Sequence, residues 1–386
     1  MTILTGCNDK HYQLGLLSGL VHHDIEIDFI ANDDMIAAAN YEKVNYLNFR
    51  GDQDPQASIW KKVFRVLWYY GRLLRYTAQT KSRIFHIQWL NRFEYLDRTL
   101  INLYYKVMRK KLILTAHNIN AGQRDGNDSR LNRWTLWFMY RIVDHIIVHT
   151  EKMKEELSRA FGLDPSKVSV IPHGIHDAIP CTDLTPLEAR ARLGLGCEEK
   201  VLLFFGNIYP YKGLEYLVRA LPRLMESIGP LKTIIAGRAG DLKYWNKIEK
   251  ILEEKDLGDI VVRAIGFIPD EEIEIFCKAS DLLVLPYTSV FQSGVLFVAY
   301  NFGLPVIASD VGSLREEVIE GVTGFVCKSR DPDDLALKVI EYFHSDLYHS
   351  LEDNRRKIIE YAREKYSWRR IGEMTFKVYR RICPLN

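Results

Sequence analysis

Short β-rich runs alternate along this chain with longer stretches of helical periodicity. That alternation restricts the fold most, because strands joined by crossover helices form parallel sheets with helices on their faces. In the first half the runs are TILTG (2–6), IEIDFIA (25–31), IFHIQW (84–89), KLILTAH (111–117) and HIIVHT (145–150), closed by KVSVIPHG (167–174). In the second half they are VLLFFG (201–206), KTIIAG (232–237), IVVRAIGFI (260–268), DLLVLP (281–286) and PVIAS (305–309), with helices expected from about Leu214, from about Leu242 and near Glu271. At 386 residues the chain exceeds one ordinary core, so each half reads as its own doubly wound α/β domain. The periodicity breaks in HDAIPCTDLTPLEARARLGLGCEEK (176–200), where Pro, Asp, Thr and Gly intervene, which sets the domains at 1–175 and 176–367. Two such domains are expected to face a cleft at the carboxyl ends of their strands.

Composition narrows the function classes. A net charge of +2 argues against nucleic acid as a partner, and 47% apolar with 26% charged residues is ordinary for a globular chain. The six cysteines (7, 181, 197, 277, 327, 383) include no C-x-x-C pair, which favours free thiols in a reducing compartment. No apolar run is long enough to span a bilayer, so the expected location is the cytoplasm, either free or peripheral on the inner face of the membrane.

Two stretches carry chemistry. PYTSVFQSGVLFVAYNFGLPVIAS (286–309) has no charged side chain from Tyr287 to Ser309, yet it leads a strand through Gln292, Ser293 and Gly294 into a helix. The open N–H groups and partial positive charge of a helix start suit a diphosphate, with Gly294 admitting close approach, Ser293 adding a hydroxyl and Gln292 serving a neutral hydroxylated ligand. A plain helix cap is the alternative. In FFGNIYPYKGLEYLVRAL (204–221) a buried strand ends at Gly206, and Lys212 stands before a helix where its ammonium can reach a phosphate; a solvated surface lysine is the alternative. The Walker pattern G-x-x-x-x-G-K-[ST] is absent.

The order VIPHGI (170–175), FFGNIYPYKGL (204–214), IIAG (234–237), AIGFIPDEEI (264–273), ASDLLVLPY (279–287), FGLPVIASDVGSLREEV (302–318) and GVTGFV (321–326) resembles the C-terminal half of a family 4, GT-B-type retaining glycosyltransferase. In the first half ILTAHN (113–118) is similar to the family's strand-end histidine motif. The resemblance implies two Rossmann-like domains, a nucleotide-sugar donor held by the second, an acceptor held by the first, and a last helix, about 368–386, packing back on the first. It assigns Lys212 and the Ser293–Val295 backbone to the diphosphate, Phe267 and Ile268 to the nucleobase, and His117 to the transferred sugar and phosphate. His173 is read as a linker residue, and His145 and His149 as packing or surface residues.

The chain also departs from the family. The usual pair of glutamates spaced by seven residues falls on Val290 and Val298, and Asn207 replaces the arginine common after the first glycine. A branch in which Q-S-G does this work, a catalytically silent binding subunit of a glycosyltransferase complex, and a different GT-B activity such as an epimerase or phosphorylase all fit. In the first case the donor diphosphate leaves and its own oxygen takes the acceptor proton on the same face, with Lys212 stabilising the charge and with no metal and no cofactor besides the donor. NDD (32–34) and DPDD (331–334) read as turns, the second as a helix start. The expected partners are a nucleotide sugar and a saccharide or lipid-linked acceptor, in surface polysaccharide or glycolipid assembly.

Residues 59–76, IWKKVFRVLWYYGRLLRY, give one helical face of Ile59, Val63, Leu67, Tyr70 and Leu74, expected to pack on the domain. The other face, Lys61, Arg65, Trp68, Arg72 and Arg75, suits an anionic membrane, with a solvated basic face as the alternative.

Overall fold

The computed structural model describes residues 1–384 apart from 7–8, 39–40, 55, 121, 123–127 and 176–178. The predicted domain boundary and Cys7 therefore fall on or beside residues outside the described ones. The chain divides into two compact units, Met1–Gly174 with Tyr366–Asn386, and Ile175–Lys365.

Unit 1 is built on a seven-stranded sheet, β1 (Thr2–Leu4), β2 (Ile27–Ala31), β3 (Val44–Asn48), β4 (Ile84–Ile87), β5 (Lys111–Thr115), β6 (His145–Val148) and β7 (Val168–Val170). Every pairing is parallel in the order β3-β2-β1-β4-β5-β6-β7, with Ile3 opposite Phe29 on one side and His86 on the other. Apart from β3, these strands are the six sequence runs. VNYLN escapes a pattern reading because an edge strand needs little burial and this one exposes Asn45 and Asn48.

The connections fix the helix layers. From β3 onward each new strand of unit 1 lies further along the sheet in one direction. Right-handed crossovers therefore place the intervening helices, Ile59–Gln79, the helical run 94–107 and Arg130–Ile142, on one face. The β1–β2 connection runs the other way, so Lys10–Leu20 lies on the opposite face, and there the final helix Trp368–Ile382 packs on it. Glycines permit that contact: a Cβ on Gly15 would stand 1.9 Å from the Trp368 ring, and one on Gly372 would stand 2.4 Å from Gly19. Tyr12, Leu16, Trp368, Ile371 and Tyr379 join Ile3, Phe29 and Ile113 in one core.

The helix Ile59–Gln79 differs from its sequence reading. Tyr70 is buried as expected, but Ile59, Val63 and Leu67 are exposed, and the packed stripe is Tyr69, Tyr70, Leu73 and Thr77 in the C-terminal half. A 21-residue helix is about 31 Å long, whereas strands of four or five residues span about 13–17 Å, so one half extends past the sheet.

Unit 2 holds a six-stranded parallel sheet, β8 (Lys200–Phe205), β9 (Leu231–Gly237), β10 (Val261–Ile265), β11 (Leu282–Leu285), β12 (Val306–Ser309) and β13 (Gly324–Cys327), ordered β10-β9-β8-β11-β12-β13. Only β13, four residues opened by a glycine, lacked a strand signature. The helices Leu214–Ile228, Leu242–Glu254 and Asp270–Ala279 begin where the sequence places them. The strand order reverses between β8 and β11, which leaves a crevice beyond their carboxyl ends, and both chemistry-bearing stretches follow these two strands.

Candidate functional site

At the end of β8 the backbone turns through Gly206 at φ +99° and then through Gly213 at φ +65°, which opens the helix Leu214–Ile228. Close packing demands glycine at the end of this loop and beside its start: a Cβ on Gly213 would lie 2.0 Å from the Pro286 carbonyl, and one on Gly237, the last residue of β9, would lie 2.3 Å from that of Gly206. Gly266 N–H donates to Gly237 O at 3.1 Å, so the ends of β8, β9 and β10 are tied together.

Lys212 is buried among these turns, not solvated. Its Nζ would stand 2.8 Å from a Cβ built on Gly206, beside the Val295 side chain, and it faces the Tyr287 ring with 5.5 Å to the centroid. Among the described residues no carboxylate pairs with it, and burial pushes its ammonium down to about 8. A buried cation without a counter-ion is costly, so this position favours an anionic ligand.

The charge-free loop approaches from β11. Ser293 precedes the helix Gly294–Asn301, but its side chain caps nothing; its Oγ donates to Tyr287 Oη at 3.3 Å. The first-turn N–H groups therefore have no side-chain partner and stay available to an anion. Gln292 Nε2 donates to Glu317 Oε1 at 3.2 Å. Glu317 sits at the end of a short helix, Leu314–Glu317, where burial pushes its carboxyl up to about 8, so it is neutral at pH 7. Its Oε2 is buried without a partner. Because the amide nitrogen of Gln292 is engaged, its carbonyl oxygen is the atom left for a ligand hydroxyl.

Asn207 is exposed in the turn after Gly206, and Phe267, 83% exposed, projects beyond β10 with Ile268 half-buried next to it. Val298 is buried in the helix and Val290 is half-buried at its approach. The donor-side residues Asn207, Lys212, Phe267, Ile268, Gln292, Ser293, Gly294 and Val295 thus all lie past the carboxyl ends of β8, β10 and β11.

In unit 1 His117 lies two residues beyond β5, stacked on Trp89 with centroids 3.8 Å apart. His149, read from the sequence as a packing or surface residue, is its hydrogen-bond partner: His149 Nε2 lies 2.9 Å from His117 Nδ1, and His149 Nδ1 lies 3.0 Å from Ile171 O. A carbonyl only accepts, so His149 carries its proton on Nδ1. Burial lowers its pKa to about 3 and holds it neutral, which makes Nε2 an acceptor. His117, also held neutral by burial and the neighbouring imidazoles, must then donate from Nδ1 and keep its lone pair on Nε2. That Nε2 is buried and unpartnered, as are both side-chain polar atoms of Gln88 just after β4. No linear pattern marks His149 or Glu317, because each is joined to the site by a contact across the fold.

Both acidic runs serve as helix starts. Asn32 accepts from Met35 N–H, and Asp331 accepts from Asp333 and Asp334 N–H. Among the described residues no group of three His, Cys, Asp or Glu is arranged to hold a metal, and no helix is long and apolar enough to cross a membrane. Cys181, Cys197, Cys277, Cys327 and Cys383 are unpaired thiols.

Two doubly wound units, the second with a buried lysine and a helix start flanking its switch point, make up the GT-B architecture. The chain belongs to the family 4, GT-B-type glycosyltransferases and is an enzyme of that class: residues 11–178 match the model for Glycosyltransferase Family 4, and residues 187–365 match the model for Glycosyl transferases group 1. An uncharacterized glycosyltransferase of Methanocaldococcus jannaschii is 27% identical over 376 residues, covering 95% of this chain and 92% of that protein. A D-inositol 3-phosphate glycosyltransferase of Nocardioides sp. is 29% identical over 254 residues, 62% of this chain and 54% of that one, so the match spans about half of its length. Sucrose-phosphate synthase of Thermosynechococcus elongatus superposes with a TM-score of 0.76 at 18% identity over 99% of this chain and 98% of that one. The Anabaena protein HepE, solved in complex with UDP-glucose, superposes with a TM-score of 0.75 at 17% identity over 98% and 99%.

Proposed function

We propose that the enzyme moves a sugar from a nucleoside-diphosphate donor to a saccharide or lipid-linked acceptor with retention, in the cytoplasm, as a step of surface polysaccharide or glycolipid assembly. The observation that carries this reading is Lys212, a buried cation with no counter-ion among the described residues, beside an uncapped helix start. Together they form a site for two phosphates. Phe267 and Ile268 receive the nucleobase, Asn207 lies on the phosphate side, and the Gln292 carbonyl accepts from a donor hydroxyl. HepE, with its UDP-glucose, is a precedent for a nucleotide sugar on this fold.

In the reaction the bond from the anomeric carbon to the diphosphate breaks and a bond to the acceptor oxygen forms on the same face. The acceptor proton passes to the departing phosphate oxygen. Lys212 and the N–H groups of Gly294 and Val295 stabilise the charge that grows there, so no side-chain nucleophile and no metal is assigned. Of the two roles considered for His117, sugar or phosphate, its Nε2 lone pair suits the sugar: a lone pair accepts from a hydroxyl and repels a phosphate oxygen.

The test is nucleotide release by the purified protein from UDP-, GDP-, ADP- and dTDP-sugars, with and without a membrane lipid extract as acceptor. Release from one donor that rises with the extract supports transfer. Binding of a nucleotide without release from any donor would refute turnover and leave a binding subunit.

A further inference from the structure

We propose that three helices of unit 1, Ile59–Gln79, the helical run 94–107 and Arg130–Ile142, form one docking surface for an anionic lipid membrane, wider and more deeply apolar than the basic face legible in the sequence. The N-terminal half of the first helix exposes Ile59, Trp60, Val63, Phe64, Leu67 and Trp68. These residues fall on two adjacent rows at i, i+4, i+8, a single exposed stripe. An exposed apolar stripe of this length marks a surface that another body covers.

The right-handed crossovers put the other two helices on the same side of the sheet, and contacts join the three in a row. Tyr70 stacks on Phe93 at 6.0 Å and donates to Asp97 at 3.0 Å; Tyr104 Oη donates to Leu74 O at 3.0 Å; Arg98 Nη1 donates to Asn132 Oδ1 at 2.7 Å. On the neighbouring helices Leu103, Val107, Trp134 and Trp137 are exposed as well. Of the seven tryptophans in the chain, four (60, 68, 134 and 137) therefore lie on this one layer with their rings in solvent.

Charge selects the occupant. Ile59–Gln79 carries five Lys and Arg and no acid, and Arg130–Ile142 carries three Arg and no acid. Arginines lie over the exposed rings, Arg72 at 5.4 Å from Trp68 and Arg141 at 4.7 Å from Trp137. A helix lying in a membrane interface combines Trp, Phe and Leu on one side with Lys and Arg and few acids on the other, which is the composition of these two helices. Such a surface would bring the acceptor side of the enzyme to lipid-linked substrates, but its existence does not depend on the donor reading, because vesicle binding is measured without any nucleotide.

The experiment is co-sedimentation of the full-length protein with phosphatidylcholine vesicles and with vesicles that also contain phosphatidylglycerol, together with tryptophan emission. The expected result is binding to the anionic vesicles with a blue shift, weakened by salt. Arg75→Glu and Arg130→Glu should each reduce the partition constant about fivefold or more. The pair Trp60→Ala and Trp68→Ala should reduce both the partition constant and the blue shift at an unchanged melting temperature, since both rings are exposed and Trp134 and Trp137 remain as reporters. Wild-type protein that ignores both vesicle types, or variants that bind as well as wild type, would overturn the proposal. So would a stable dimer that the tryptophan pair converts to monomer with no vesicle binding, which would assign the stripe to a second copy of the chain.

Discussion

The buried lysine gives the sharpest test, because its proton reports on its partner. Burial lowers the Lys212 pKa from 10.5 to about 8, a difference worth about 3 kcal/mol against the charged form. The folded value lies below the unfolded one, so the unfolded chain holds more protons between about pH 8 and 10.5; the penalty is fully present below pH 8 and is relieved as pH rises through that window. A diphosphate bound beside the ammonium should restore the charge, which means that donor binding takes up a proton. Uptake should grow from about 0.1 proton at pH 7 to about 0.9 at pH 9, and the apparent Kd should rise about tenfold over that range. Calorimetry in buffers of different ionisation enthalpy measures both. Glu317 titrates near the same pH, so Lys212→Met is the control. That variant should lose the Lys212 share of uptake and weaken donor binding by about tenfold to a hundredfold. It should not lower the melting temperature of the free protein, because an isosteric apolar group replaces an unpaired buried charge. Equal proton uptake by wild type and variant, or unchanged donor affinity, would refute the phosphate role.

Three further outcomes follow from the same geometry. Replacing His149 with Phe removes the acceptor that fixes the tautomer of His117, so turnover should fall with donor Kd nearly unchanged, as it should for His117→Ala; equal loss of binding in a nucleotide titration would contradict the orientation argument. Glu317→Leu should raise the donor KM by about tenfold, while Glu317→Gln, which keeps an acceptor for Gln292, should stay within about threefold of wild type; identical effects of the two would make Glu317 a packing residue only. Gly237→Ala places a Cβ 2.3 Å from Gly206 O at φ +141°, so both the melting temperature and donor affinity should drop, and a neutral result in a thermal-shift titration would show that the turn can yield.

What the sequence made legible follows a physical division. Buried parallel strands such as VLLFFG and DLLVLP announce themselves because both of their faces are covered and the run is continuously apolar. Lys212 and the Q-S-G loop could be singled out because each stands at a strand-to-helix turn, a local feature. The packed face of Ile59–Gln79 could not be read in the same way. Periodicity shows that a helix has an apolar stripe but not whether the domain is long enough to cover it, and Ile59, Val63 and Leu67 lie where it is not. His149 and Glu317 were invisible for another reason. Their partners, 32 and 25 residues away, are brought into reach by the order of strands in a sheet, which no short window contains.

The loop from Tyr287 to Ser309 can be free of charge because the charge it needs comes from elsewhere. On its proposed anionic side the cation is Lys212, delivered from the neighbouring strand β8, and burial makes that single charge count for more than a solvated one. On its hydroxyl side the two positions where the family places acids are Val290 and Val298. A carboxyl still reaches the loop, through Glu317, but it arrives buried and neutral, and its contact is with the nitrogen of Gln292. An ionised glutamate next to a diphosphate would repel it, whereas an amide oxygen held outward by a neutral acid accepts a hydroxyl without that repulsion. On the proposed function the replacement of the acidic pair by Q-S-G would be one coherent exchange: the acceptor role would move to an amide and its orientation to a residue on another helix, leaving Lys212 to face the diphosphate.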